Sequence, residues 1–182
     1  MVRAGIAAVD AAQLVERALS EKSGRTPFSG GGATKKGYGP FSVIAAGKAA
    51  PAMAAAAARL LGPQISSGLV IAPSEVAVAP PFERIVGGHP TPTAGSERAG
   101  RRALALARSA GPDAHLLVLI SGGASAMMAV PADGLTLDDK RQATERLLRA
   151  GADIHALNTV RKHLSAIKGG WLAAAAAGSC TT

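Results

Sequence analysis

Residues 115–126 read His115-Leu116-Leu117-Val118-Leu119-Ile120-Ser121-Gly122-Gly123-Ala124-Ser125-Ala126. The first six form an apolar run of strand length. Without alternation, such a run is expected to be buried on both faces, as in a parallel sheet. It stops abruptly at two glycines set between hydroxyls. In an open parallel sheet ligands collect at this carboxyl edge, where glycines let the backbone approach a phosphate and Ser121 and Ser125 can donate hydrogen bonds. The plain alternative is a tight turn that needs positive φ.

The same grammar recurs on either side. Phe41 to Ala46 is a short apolar run, followed by Gly47-Lys48 and an Ala-rich helix to about Leu61. Gly68 to Ala72 reads as a second strand and Arg84 to Val86 as a third. Gly87-Gly88-His89-Pro90 breaks the chain before a helix over about Ser96 to Ser109, whose apolar positions Ala99, Ala103, Leu106 and Ala107 have helical period. An earlier helix is marked by Ala11, Leu14, Val15, Ala18 and Leu19. Downstream, Thr136 with Asp139 forms a capping-box pattern and Gly151 a stop. Asp153 then caps a helix predicted over about Ile154 to Ile167. Leu157, Val160, Leu164 and Ile167 lie on one face of it, with Asn158, Arg161, Lys162 and Ser165 on the other. Strands alternating with helices predict an α/β fold: a Rossmann-like, mostly parallel sheet with helices on both faces. Residues 21–40, rich in Gly, Ser and Lys, read as a flexible loop. The tail, Ala173 to Ala177 and then Gly-Ser-Cys-Thr-Thr, is simple in composition.

Composition narrows the classes. The chain has 182 residues, which suits one domain or one and a fraction. Ala supplies 41 of them and aromatics only 3%, so the core must come from small aliphatic side chains on closely packed helices. A single cysteine, Cys180, excludes an intrachain disulfide and a cysteine metal cage, and fits a reducing compartment. With no spanning apolar stretch and no signal peptide, a soluble cytoplasmic protein is expected, with no membrane partner. The net charge of +8 comes from 13 Arg and 7 Lys scattered along the chain. Stacking aromatics and zinc-finger spacing are missing, so a small anionic substrate fits this basicity better than nucleic acid, though a basic nucleic-acid or anion-binding module stays as an alternative.

Three places could carry chemistry. In Val43-Ile44-Ala45-Ala46-Gly47-Lys48-Ala49-Ala50, a strand turning into a helix is expected to present free N–H groups and a positive dipole end to an anion, with Lys48 adding a full charge. It matches neither a Walker A loop nor GxGxxG. The second place is the Ser121–Ser125 turn. Gly123-Ala124-Ser125-Ala126-Met127 also half-matches the elbow of serine hydrolases, with His155 or His163 as a possible base, but Met127 replaces the second glycine. The third is the polar face with Asn158, Arg161 and Lys162, followed by Lys168-Gly169-Gly170, for which solvent exposure is the ordinary explanation. No His and carboxylate cluster has metal-ligand spacing, so no metal residues are named.

Taken in order, Gly47-Lys48-Ala49-Ala50, Gly88-His89-Pro90-Thr91-Pro92, Ile120-Ser121-Gly122-Gly123-Ala124-Ser125-Ala126, Gly134-Leu135-Thr136-Leu137-Asp138-Asp139-Lys140 and Asn158-Thr159-Val160-Arg161-Lys162-His163-Leu164-Ser165-Ala166-Ile167-Lys168-Gly169-Gly170 resemble the N-terminal part of the glycerate 2-kinase family, the type with a C-terminal MOFRL domain. The resemblance runs from about Val43 to Ala173. It implies transfer of a phosphoryl group from ATP to the 2-hydroxyl of D-glycerate, with Mg²⁺. By position it makes Lys48 the active-site lysine. Ser121, Gly122, Gly123 and Ser125 match the family's phosphate-binding loop, and Asn158, Arg161 and Lys168 match polar positions of its long motif; we expect Gly47 to join that loop at the nucleotide, and His89, Asn158, Arg161 and Lys168 to bind substrate. Members are also labelled hydroxypyruvate reductase, without a dinucleotide fingerprint here to support hydride transfer. Ala124 stands where the family loop has a third glycine. Members are more than twice this length, so the chain is expected to be a fragment, inactive alone, that self-associates or meets a separately encoded C-terminal segment.

Overall fold

The computed structural model describes residues 10–20 and 40–182, so the flexible loop expected over 21–40 lies, Pro40 apart, outside the described residues. Five strands are present: β1 (Phe41–Ala46), β2 (Ile65–Ala72), β3 (Phe82–Val86), β4 (His115–Ile120) and β5 (Ser179–Thr181). The helices are α1 (Ala11–Leu19), α2 (Ala50–Leu61), α3 (Ala94–Ser109), α4 (Ala124–Met127), α5 (Leu137–Arg149), α6 (Ile154–His163) and α7 (Trp171–Ala174). Every strand pairing is parallel, in the order β3-β2-β1-β4-β5. The chain therefore starts at the centre, builds outward through β2 and β3, and returns beside β1 to build the other half.

Period-two alternation along these buried strands feeds two cores. Val43, Ala45, Val70 and Leu117 face α2, which packs on them through Ala50, Met53, Ala54, Ala56 and Ala57, with Val15 of α1 behind. Ile44, Ala46, Leu69, Ile71, Leu116 and Val118 face α3, whose Ala99, Ala103, Leu104, Leu106 and Ala107 meet them. Alanine loses no side-chain entropy in a helix and lets the backbones come close. Gly100 extends this: a β-carbon there would stand 2.5 Å from Val130. The expected α/β sheet with helices on both faces is what these residues build.

Four details differ from the sequence reading. β2 and β3 start earlier than expected, at Ile65 and Phe82. α6 ends at His163 rather than near Ile167, because Leu164 and Ser165 turn aside to bond the 130–132 segment: Ala132 N–H donates to Leu164 O (3.1 Å) and Ser165 Oγ to Val130 O (3.1 Å). Ser165 is accordingly buried rather than on the exposed polar face. The tail forms α7 and β5, and β5 pairs only with His115–Leu117, so the far end of β4 is not buried on both faces: Ile120 is 53% exposed. The His115 ring fixes the tail by hydrogen bonds to Ser179 Oγ and to Thr181 Oγ1, the latter at 3.0 Å.

Candidate functional site

The reversal of strand order between β1 and β4 puts the two glycine turns side by side at the carboxyl edge of the sheet, the ordinary ligand position in a doubly wound fold. They are stitched together. Lys48 N–H donates to Gly122 O (2.9 Å) and Ser121 N–H to Ala46 O (2.9 Å). Ser121 Oγ accepts from Ala49 N–H (3.0 Å), and Gly47 sits at φ +119° with no room for a β-carbon, which would fall 2.3 Å from Ser121 Oγ.

This stitching corrects one expectation. The N–H groups of Gly47, Lys48, Ala49 and Ala50 are all taken, by Ile71 O, Gly122 O, Ser121 Oγ and Gly47 O, so residues 47–50 do not offer free amides to an anion. The open ones are on the neighbouring turn: the N–H groups of Gly122 and Gly123 have no acceptor among the described residues. Space is open above Gly122, while Gly123, at φ +89°, has the His89 ring close by. Ser121 braces the two turns. The Lys48 side chain is exposed beside them and has no hydrogen-bond partner among the described residues.

Next to this edge lies a cavity of about 390 Å³, lined among others by Pro90, Ser125, Lys140, Arg141, Arg161 and Lys168. Two cations converge on one serine. Arg161 donates to Ser125 Oγ (2.9 Å) and Lys168 Nζ to Ser125 O (2.8 Å). Lys140, 9% exposed, donates through Nζ to Leu164 O (2.7 Å). Burial, reinforced by the positive charge of Arg161, lowers Lys140 to about 8. Burial first, then Arg161 and Lys140, does the same to Lys168. None of the ion pairs formed among the described residues involves these three cations, so no carboxylate neutralises them within 4.0 Å; Glu145, which also lines the cavity, pairs with Arg149. A cavity with this lining is suited to an anion.

Sequence reasoning named Arg161, Lys168 and Ser125, and the fold brings them together. Asn158 touches the group only through its Oδ1, which accepts from Arg161 (3.3 Å), and the exposed His89 stands beside Gly123. Lys48 is not among the residues lining this cavity. Lys140 and Arg141 were not named as site residues. A signal existed, since Lys140 falls three residues after Leu137, on the face of α5 that is buried. Among the described residues no group of three or more His, Cys, Asp or Glu could hold a metal ion, and no helix is long and apolar enough to cross a membrane.

Residues 1–182 match the family described as "Domain of unknown function (DUF4147)". The chain belongs to this family. Among curated proteins, the DUF4147 chain is 39% identical over 130 residues to the D-glycerate 2-kinase of Thermotoga maritima, which covers 70% of the chain and 31% of that protein. It is 44% identical over 135 residues to an Agrobacterium vitis protein named "Putative hydroxypyruvate reductase", covering 74% and 31%. Its structure resembles the crystal structure of the Thermotoga maritima glycerate kinase, with a TM-score of 0.76 and 31% identity over 95% of the chain and 42% of that one. The DUF4147 chain thus spans about a third of the length of the curated relatives it matches, consistent with the N-terminal part of the glycerate 2-kinases.

Proposed function

We propose that this chain forms the anion-gripping wall of a kinase that transfers the γ-phosphoryl group of ATP to the 2-hydroxyl of D-glycerate. The observation carrying this reading is the convergence of Arg161 and Lys168 on Ser125 in a cavity whose cations have no ion-pair partner, next to the open amides of Gly122 and Gly123. Phosphoryl transfer needs positioning and charge neutralisation more than covalent chemistry from the protein, and this wall offers both. In the proposed arrangement Arg161 and Lys168 hold the glycerate carboxylate, while Gly122 and Gly123 N–H groups and Lys48 take phosphate oxygens. The residues fit a polyphosphate: open amides, room above Gly122 and a solvent-facing lysine. Mg²⁺, which would neutralise the phosphates, arrives with the nucleotide rather than on ligands of this wall. Those substrates fit a cytoplasmic setting.

Other readings find less support. A serine hydrolase would need a base on Ser125, whose Oγ is bonded to Arg161 instead, and His163 is tied to Thr159 O at 2.9 Å. The elbow also places its serine in a strained conformation, yet all positive φ values among the described residues belong to glycines. Hydride transfer to hydroxypyruvate has no dinucleotide fingerprint behind it.

The deciding experiment grafts this sequence in place of the matching segment of the Thermotoga maritima D-glycerate 2-kinase. D-glycerate-dependent ADP formation in the chimera is expected. Oxidation of NAD(P)H with hydroxypyruvate, and no ADP formation, would overturn the reading.

A further inference from the structure

We propose that Lys140 is the third cation of the anion site: anchored from α5 to the turn after α6, it holds its charge beside Arg161 and Lys168, so that the substrate carboxylate is met by all three. The inference rests on the reading of this cavity as the substrate pocket.

The geometry is specific. Lys140 Nζ bonds Leu164 O, three residues beyond Arg161 and four before Lys168, and approaches Val130 O at 3.5 Å. Val130 O also accepts from Ser165 Oγ and from Ala166 N–H, each at 3.1 Å. Residues 164–166 are thus pinned to residues 130–132 at the point where Arg161 and Lys168 diverge. A neutral residue would satisfy the backbone nearly as well, since Leu164 O already accepts from Ala132 N–H at 3.1 Å. Burying a cation beside two others costs stability. The charged groups around it are Arg141 and Glu145 on its own helix, Arg161 on α6, and Lys168. Glu145, the one acid there, has its ion pair with Arg149 (3.3 Å). A buried lysine that repels its neighbours and answers no carboxylate is accounted for by an anion that enters the cavity and meets all three.

The test titrates D-glycerate into the ¹⁵N-labelled 182-residue chain and follows the amides of Ser125 and residues 161–168. Lys140→Met keeps an unbranched apolar side chain one atom shorter and leaves Leu164 O its bond to Ala132 N–H, so the fold, checked by circular dichroism, is retained. Its affinity at pH 7 is expected to fall on the order of tenfold, the scale of one lost charge in a partly solvated site. Lys140→Arg, with charge and donors kept, restores it to within about threefold of wild type. Wild-type affinity declines as pH rises through about 8; in Lys140→Met the decline moves to higher pH, because Lys168 has lost a repelling neighbour. If Lys140→Met matches wild type in affinity and midpoint, or Lys140→Arg is as weak as Lys140→Met, Lys140 is only structural, while the pocket stands provided Arg161→Gln abolishes binding. An absence of D-glycerate-dependent shifts in the wild type overturns both.

Discussion

Two kinds of lysine meet at the edge of this sheet, and their surroundings divide the work. Lys48 is exposed beside open glycine amides, so its charge is fully available to a ligand arriving from solvent. In the chimera, Lys48→Ala is expected to lower turnover by on the order of 10²-fold, the scale of removing one electrostatic stabiliser, with circular dichroism unchanged. An unaltered kcat would make Lys48 a solvated surface residue. Lys140 and Lys168 instead sit inside, both lowered to about 8 by burial first and neighbouring cations second. The consequence for stability has a definite sign. Below about pH 8 both are protonated in folded and unfolded chains, and the burial penalty is present in full. Between about 8 and their ordinary value of 10.5 the unfolded chain binds more protons, so stability rises with pH. Denaturant melts of wild type against Lys140→Met isolate this from other titrations: wild type should gain on the variant from pH 8 to 10.5. A constant difference would mean that Lys140 is not desolvated in solution.

At the scale of elements, what was legible in the sequence is what short-range chemistry controls. Strands β1 and β4, helix α2, the Thr136–Asp139 cap and the Gly151 stop follow from neighbours within four residues. In the cap, Thr136 N–H donates to Asp139 Oδ2 (2.8 Å) and Asp139 N–H to Thr136 Oγ1 (3.1 Å). Thr136→Ala should cost about 1 kcal/mol at neutral pH, read from a chemical melt. The hydrogen bonds from Thr136 also hold Asp139 below the ordinary carboxylate value of 3.8. That contribution is present above 3.8 and lost as pH falls through the lowered value, so the gap between wild type and Thr136→Ala should narrow in acid; a gap that widens would put the cap elsewhere. The end of α6 was not legible. Its helical period continues to Ile167, but distant groups, Lys140 Nζ and the Val130 carbonyl, claim Leu164, Ser165 and Ala166. β5 escaped for the same reason, since three residues of weak pattern are fixed by pairing with β4 and by the His115 ring. Between these lies the joint of the two glycine turns, visible as glycines but not as a joint. Gly47→Ala there meets both a positive φ and Ser121, and should destabilise the chain by about 1–3 kcal/mol, measured by denaturant unfolding. Tolerance of that substitution would show that the turns are not locked together.

Across the whole molecule, the strand order explains why two turns 74 residues apart, Gly47 and Ser121, act as one unit: each leaves the sheet on the same side of the reversal between β1 and β4. Sequence order alone suggested a parallel sheet, but the adjacency of β1 and β4 depends on long-range pairing, and with it the assignment of free amides to Gly122 and Gly123 instead of the β1–α2 turn. The same topology leaves a defect. β5 reaches only His115–Leu117, so Val118 to Ile120 have no strand on that side among the described residues. A cavity of about 440 Å³ lies there, lined chiefly by Val118, Ile120, Met128, Ile167 and Leu172, with Lys168 and Ser125 at its border. Trp171 stands 61% exposed nearby in sequence, following the two positive-φ glycines Gly169 and Gly170. An unpaired edge with apolar side chains is a template for pairing with another chain. The 182-residue chain, purified alone, should therefore self-associate with increasing concentration, and should show no D-glycerate-dependent ADP release, since one wall positions neither the acceptor hydroxyl nor a closed, water-free site. Light scattering after size exclusion measures the first and a coupled assay the second. Ile120→Lys places a charge on the open edge, outside the hydrogen bonds that join the glycine turns, and should return the chain to monomer without restoring turnover. A chain that stays monomeric at high concentration would show the edge to be covered, and turnover in the Ile120→Lys monomer that vanishes on adding Lys48→Ala would show that a single wall suffices.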